Sequence, residues 1–356
     1  MWLTLKIEHV SKTLGKFSLR DISLEVGDGE YFVLLGSTGA GKTVLLDLVM
    51  GFHSPDKGKI ILGGRDITNV PTYKRLIAYV PQNCLLFPHM NVFENVEFGL
   101  KMRRVASAER KKAVDGMIEI LSLGNIAERM PSTLSGGERQ KVVLARVLVT
   151  EPKVVLLDEP LTAIDAETSR NFLDELKRIN HEFGVGFLHV THDQMEAFRI
   201  ADRIAIMREG KIVQVGNPSE ILSHPADEFV ARFLGYENVF RVSLIKCKRG
   251  VSEVSANGVS IKVNSELESD VATVAIRPED IIVMTEAPSV SGEWNFFTGT
   301  VEKCTNLGPT VEVTINIGLF LKALIDKRSF LELNLSEGKR IHAGFKADSV
   351  RIVSLR

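Results

Sequence analysis

The 356-residue sequence has only three cysteines, Cys84, Cys247 and Cys304, far apart and odd in number. They make neither a disulfide framework nor a metal-ligand cluster, and a reducing compartment fits them. An excess of charge of one sign is missing too: 44 Lys and Arg stand against 45 Asp and Glu, a net charge of −1. Residues 236–356 hold 15 of each sign, so neither part is a basic tail. That balance argues against a general nucleic-acid binder, whose affinity rests on cations neutralising phosphates, and no nucleic-acid partner is expected. No apolar run reaches the roughly 18 residues that a membrane-spanning helix needs. Residues 1–8 alternate apolar and polar like a strand and lack the charged and apolar regions of a secretion signal. Any link to a membrane is expected to come through a partner. What is present is a chain 44% apolar and 25% charged, long enough for about two ordinary domains.

Short apolar runs ending in Gly or Asp alternate with helical patterns up to about residue 235, as in a mainly parallel α/β sheet. Residues 31–35, 154–157 and 186–190 are such runs. Between the first two lies a segment of helical pattern, about 83–150, which reads as a helical insertion. After Gly235 the texture changes to short β-type runs, 271–276, 310–315 and 319–325, separated by Gly or Asn. A small β-barrel or sandwich over 236–356 is expected.

Three motifs carry chemistry. Gly36-Ser37-Thr38-Gly39-Ala40-Gly41-Lys42-Thr43 follows an apolar strand and opens an apolar helix, the context a phosphate-binding loop requires. Glycines let backbone N–H groups turn toward a β-phosphate, Lys42 reaches the β- and γ-phosphates, and Thr43 offers a hydroxyl to Mg²⁺. Residues 154–159 form an apolar strand ending in two carboxylates, so that Asp158 holds the Mg²⁺ shell and Glu159 orients or deprotonates the attacking water. Ser135-Gly136-Gly137 opens a helix and supplies a second set of donors aimed at an anion, while Ser135 and Glu138 have capping-box spacing.

With Leu134–Gln140 lying between these two motifs, residues 3–235 resemble the ATP-binding subunits of ABC transporters. That resemblance implies an α/β phosphate-loop NTPase fold with a helical insertion, ATP and Mg²⁺ as cofactors, and a head-to-tail homodimer. Ser135 and Gly137 of one copy would then contact the γ-phosphate held by Lys42 of the other. It also assigns Gln82 to Mg²⁺ and to the link with the insertion, His192 to the γ-phosphate, and Asp165 to the loop after the catalytic strand. The family usually stacks an aromatic on adenine where this chain has Leu14. Phe17 is the nearest substitute for a base contact worth about 1–3 kcal/mol. Thr162-Ala163-Ile164-Asp165 departs slightly from the usual family wording, and Val44 replaces a frequent hydroxyl.

The segment 83–92 carries Leu86, Phe87, Met90 and Val92, which suit a helix-in-groove contact with a membrane subunit. The tail resembles the TOBE/Mop modules of importer ATPases, an OB- or barrel-like all-β domain. Its spacing over 291–353 is similar to the molybdate-binding module of molybdate and tungstate importers. Its ligand stretches depart from that pattern: Gly292-Glu293-Trp294-Asn295 lacks an arginine, and Lys346-Ala347-Asp348-Ser349 adds an acid. A dianion there meets like charge, leaving Lys346, Ser349 and backbone N–H groups to hold it. A tail kept for dimer contact is the competing expectation. The resemblance implies two integral membrane permease subunits, an external solute-binding protein and a place on the cytoplasmic face of the membrane. The solute is expected to be molybdate or tungstate, with sulfate, iron, polyamine or sugar importers as the alternative. A non-transport ABC ATPase is the more distant alternative.

Overall fold

The computed structural model describes residues 3–355 apart from 84, 163, 164, 249, 268 and 287–292. Of the residues named above, Cys84, Ala163, Ile164 and Gly292 lie outside the described residues. The chain forms two compact units, 1–218 and 219–356.

The first unit is built on a six-stranded sheet. Its order is Lys211–Gly216, Arg203–Arg208, Tyr31–Leu35, Gly186–Thr191, Val154–Asp158, Ile77–Val80. The Lys211–Gly216 edge is antiparallel to its neighbour and every other pairing is parallel. The three central strands are buried at every position. Parallel strands covered on both faces are apolar at most positions, which is why they read as near-continuous runs rather than alternating ones, with Asp158, His189 and Thr191 as buried polar exceptions. A four-stranded antiparallel sheet, ordered Phe17–Gly27, Leu3–Leu14, Lys57–Leu62 and Arg65–Asp66, lies on the other side of the helix Lys42–Met50. The residues Leu45, Leu46, Leu48 and Val49 share one core with Leu5, Ile7, Ile22 and Ile60 of that sheet and with Leu34 and Leu156 of the larger one.

The helix Lys42–Met50 begins after Gly41 at φ 107° and ends at Gly51 at φ 82°, both conformations that glycine adopts without strain. Its last carbonyls are covered by a buried arginine. Arg75 donates from Nη1 to Leu48 O at 2.9 Å and Val49 O at 2.8 Å, from Nε to Val70 O at 2.7 Å, and from Nη2 to Thr68 O at 2.9 Å. A cation at a helix C-terminus also meets the negative end of the helix dipole.

The helical insertion is present as expected, with helices Val92–Met102, Ser107–Ile120 and Gly136–Leu148. The pattern over 109–123 runs three residues past the helix end, because Ser122 turns to φ 54° and the Leu123 N–H closes on Ile118 O. Both Asn91 and Ser135 cap their helices in full capping boxes with Glu94 and Glu138.

The second unit contains two five-stranded antiparallel sheets around one core that includes Val254, Ile276, Val313, Leu321 and Phe345. Their orders are Val259–Val263, Val251–Ala256, Asn238–Lys248, Val271–Ile276, Arg351–Leu355 and Ile282–Met284, Arg340–Lys346, Trp294–Asn306, Thr310–Asn316, Phe320–Asp326. In the latter the two edge strands also touch, curling the sheet toward a barrel. The division between units falls earlier than the expected boundary near Gly235. The helix Glu228–Phe233 packs on the strands Asn238–Lys248 and Arg351–Leu355, and the Tyr236 hydroxyl donates to Leu222 O at 2.7 Å. These side-chain contacts draw the connecting segment into the tail, and nothing in its local pattern announces them. Among the described residues no helix is long and apolar enough to cross a membrane.

Candidate active site

The site lies at the carboxyl ends of four adjacent parallel strands, where open α/β sheets place ligands. Tyr31–Leu35 delivers the phosphate loop, Gly186–Thr191 delivers His192, Val154–Asp158 ends in the carboxylates, and Ile77–Val80 leads to Gln82.

Ser37, Thr38 and Gly39 form the exposed tip of the loop, and Gly36 and Ala40 are buried at its base. Gly36 is required by a close approach: a Cβ there would stand 2.5 Å from Met207 O. The Phe17 ring does reach the loop, lying so that a Cβ on Gly41 would stand 2.4 Å from its Cζ. Lys42 is 5% exposed, and its Nζ donates to Gly36 O at 2.8 Å and Ser37 O at 3.1 Å. Burial pulls its pKa below the ordinary lysine value, while Glu159 and Asp158 pull it back. The ammonium is 3.8 Å from Glu159 Oε1.

Asp158 is buried and held at both oxygens. Thr43 Oγ1 donates to Oδ1 at 3.3 Å and the Tyr79 hydroxyl to Oδ2 at 3.2 Å. Desolvation raises its pKa, against the two hydrogen bonds. Burial, together with the charge of Asp158, also pushes the Tyr79 phenol well up, which keeps it a donor. Glu159 sits at φ 44°, a left-handed conformation that costs a non-glycine residue about 1–3 kcal/mol. It is held there by its N–H on Val190 O at 2.9 Å and by Thr162 Oγ1, which donates to Glu159 O at 3.1 Å. The held carboxylate lies between a cation and an imidazole: Oε1 faces Lys42, and Oε2 is 3.2 Å from His192 Nδ1.

These groups fit the expected ligands. The glycine cradle and Lys42 suit a polyphosphate, and the Thr43 hydroxyl with the Asp158 carboxylate offers the hard oxygen donors that Mg²⁺ takes. Among the described residues, no group of three or more His, Cys, Asp or Glu side chains gathers as a metal site.

The structure thus brings together Lys42, Thr43, Asp158, Glu159 and His192, with Phe17 at the loop. It does not join Ser135, Gly137 or Gln82 to them by any hydrogen bond or ion pair among the described residues. Ser135 Oγ accepts the Glu138 N–H at 3.3 Å as a helix cap. Gly137 lies against Thr168, whose Cγ2 would be 2.8 Å from an added Cβ. Gln82 is exposed beyond its strand. Asp165 caps the helix Ala166–Phe183 by accepting from the Glu167 and Thr168 N–H groups.

Three features escaped the sequence reading. Tyr79 holds Asp158 across a sequence gap with no local pattern. Gln140, 6% exposed on the Gly136–Leu148 helix, donates through Nε2 to Pro160 O and so ties that helix to the loop after Glu159. Behind His192 lies a fully buried His189, whose Nδ1 hydrogen-bonds the Tyr31 hydroxyl at 3.0 Å and whose Nε2 is 3.9 Å from Glu196 Oε2. Burial pulls the His189 imidazole down to about 3.

In the second unit, Lys346 Nζ lies 5.6 Å from the Trp294 ring centroid. Asn295 spends its amide on Lys262, donating to its carbonyl at 3.0 Å and accepting its N–H at 2.7 Å. Asn264 Nδ2 donates to Asp348 Oδ1.

A phosphate loop, a lysine and a carboxylate pair at the ends of parallel strands define a phosphate-loop nucleoside triphosphatase. The family model described as "ABC transporter" matches residues 19–162, and that described as "TOBE domain" matches 294–352. The chain is 44% identical over 352 residues to the molybdate/tungstate import ATP-binding protein WtpC of Pyrococcus abyssi, covering 98% of this chain and 99% of that one. It is 36% identical over 309 residues to the spermidine/putrescine import ATP-binding protein PotA of Thermotoga maritima, covering 85% and 84%. Among solved structures, the ADP conformation of an ATP-binding cassette of an ABC transporter shares the fold, with TM-score 0.57 and 24% identity, over 65% of this chain and 98% of that chain. A second cassette, described as dimeric in a post-hydrolysis state with ADP and Pi, matches with TM-score 0.54 and 28% identity, over 60% and 98%. The chain belongs to the ATP-binding subunits of ABC transporters, which bind ATP with Mg²⁺ and hydrolyse it.

Proposed function

We propose that this subunit powers an importer for molybdate or tungstate. The observation that carries the reading is the 44% identity to the Pyrococcus abyssi protein, which runs through both units and nearly the full length of each chain. In this reading the subunit works at the cytoplasmic face of the membrane, with two permease subunits and an external solute-binding protein. Two copies close on ATP, and their reopening after hydrolysis moves the permease.

Lys42, Thr43, Asp158, Glu159 and His192 take roles consistent with their contacts, and Gln82 takes the role the family resemblance gives it. The loop Gly36–Thr43 with Lys42 binds the phosphates, and Phe17 flanks the nucleotide beside Gly41. Thr43, Asp158 and Gln82 hold Mg²⁺, which when bound neutralises charge on the phosphate oxygens. Glu159 accepts the proton of the attacking water through a carboxylate that His192 and Lys42 hold in place. Within one chain Ser135 and Gly137 do not bond to Lys42, which supports their facing the second copy's site. The cassette described as dimeric supports the same arrangement.

The test is reconstitution of the subunit with its permease and binding protein in vesicles. Tungstate or molybdate uptake and stimulated ATP hydrolysis are the expected result. Stimulation by sulfate or spermidine in their place overturns the reading. The proposal extends to an oxyanion ligand on the tail, for which Lys346 is the cation while Glu293 and Asp348 add like charge. Calorimetric titration of the full-length protein with tungstate checks it: saturable binding lost in Lys346→Ala supports it, and silence overturns it.

A further inference from the structure

We propose that Tyr79 is a positioning residue for the Mg²⁺ carboxylate, acting through Asp158; this rests on the reading of Asp158 as a Mg²⁺ ligand. A carboxylate on one rotatable stem swings unless both oxygens are fixed. Here Thr43 fixes Oδ1 and Tyr79 fixes Oδ2, at 3.3 and 3.2 Å. Partners of this kind around a metal ligand set its orientation and basicity.

The backbone explains how the phenol reaches. Tyr79 pairs with Leu156 in parallel register, and Leu156 and Asp158 share a face of their strand because side chains alternate with period two. The ring is braced on its outer side by Phe52, centroid to centroid 6.2 Å at 75°, an edge-on packing. Phe52 follows Gly51, which ends the phosphate-loop helix. Tyr79 therefore joins three parts: the strand that leads to Gln82, the rear of the phosphate-loop helix, and the carboxylate.

The strand that carries Tyr79 ends at Val80, two residues before Gln82. Displacement of the Ile77–Val80 strand end moves the phenol and releases one carboxylate oxygen.

The experiment uses full-length Tyr79→Phe, which deletes one oxygen and keeps the ring against Phe52, with Asp158→Asn as reference. ATP affinity is measured by calorimetry in EDTA and across a MgCl₂ series, beside thermal melting. The expected result for Tyr79→Phe is a Mg²⁺ half-saturation raised about tenfold, with Mg²⁺-free ATP affinity and melting temperature unchanged. A Mg²⁺ half-saturation equal to wild type, or an equal loss with and without Mg²⁺, overturns the role of Tyr79. If Asp158→Asn also leaves Mg²⁺ dependence unchanged, the reading of the metal site itself fails, which separates the two.

Discussion

Two glycines of the phosphate loop separate backbone strain from steric contact, and they predict opposite phenotypes. Gly39 is at φ 82° with nothing within 4 Å of an added Cβ, so Gly39→Ala meets strain alone. A left-handed conformation costs an L-residue about 1–2 kcal/mol. The loop tip is exposed, so the free variant can relax out of this conformation and the cost should fall on ATP binding. Affinity should drop about 5- to 30-fold, the factor that 1–2 kcal/mol represents, with little change in melting temperature. Gly36→Ala meets a different obstacle. Its Cβ would lie 2.5 Å from Met207 O and 3.3 Å from the Ala40 Cβ, and a strand carbonyl inside a buried sheet cannot turn aside as a side-chain tip can. Overpacking of this kind costs about 1–3 kcal/mol of stability. In a domain of this size each kcal/mol lowers the melting temperature by about 2–4 °C, so a fall of several degrees is expected. Differential scanning fluorimetry beside ATP titration reads both quantities. If Gly39→Ala lowers the melting temperature as much as Gly36→Ala, the division of roles within the loop is wrong.

Glu159→Gln should retain Mg²⁺-ATP binding and lose about 10²- to 10⁴-fold in turnover, as removal of a general base does; robust hydrolysis by that variant would remove Glu159 from its role. His189 gives a pH signature. Its folded pKa of about 3 lies below the unfolded value of about 6.5, so below pH 6.5 the unfolded chain takes a proton that the folded chain refuses. Its contribution is therefore full above pH 6.5 and is lost as pH falls, at about 1.4 kcal/mol per pH unit. The facing Glu196, raised by burial, acts with the opposite sign, so wild type and His189→Phe are compared in urea melts from pH 7 to 5; parallel curves would refute the assignment.

How much was legible depended on how locally each feature is written. The phosphate loop, the strand into Asp158 and Glu159, and the Ser135 capping box are each contiguous, so their residue types and spacing carry their geometry. The central strands were legible because burial on both faces favours apolar residues at most positions, His189 being an exception. Tyr79 was not, because its partner is a carboxylate on another strand and a lone tyrosine in a β run reads as core. Gln140 was hidden in the same way: its polar side chain serves Pro160, which only the packing of helix against loop brings near. The unit boundary falls before the glycine at 235 because the helix Glu228–Phe233 packs on tail strands and Tyr236 bonds back to Leu222, and such docking leaves no mark in local composition. The insertion helix stopping short of Leu123 is the same lesson in small, since Leu121 and Leu123 stay buried through a turn at exposed Ser122.

Arg75 makes its position intolerant of a substitution usually counted as mild. Its guanidinium serves four carbonyls from two stretches of chain while 3% exposed. Lysine carries the same charge but three donors on a single nitrogen, and one point cannot reach acceptors spread around a planar fork. At least one acceptor at the helix end would then be stranded away from water. The arginine thus works as a keystone between the end of the phosphate-loop helix and the turn that carries Thr68 and Val70, and its loss would slacken both at once.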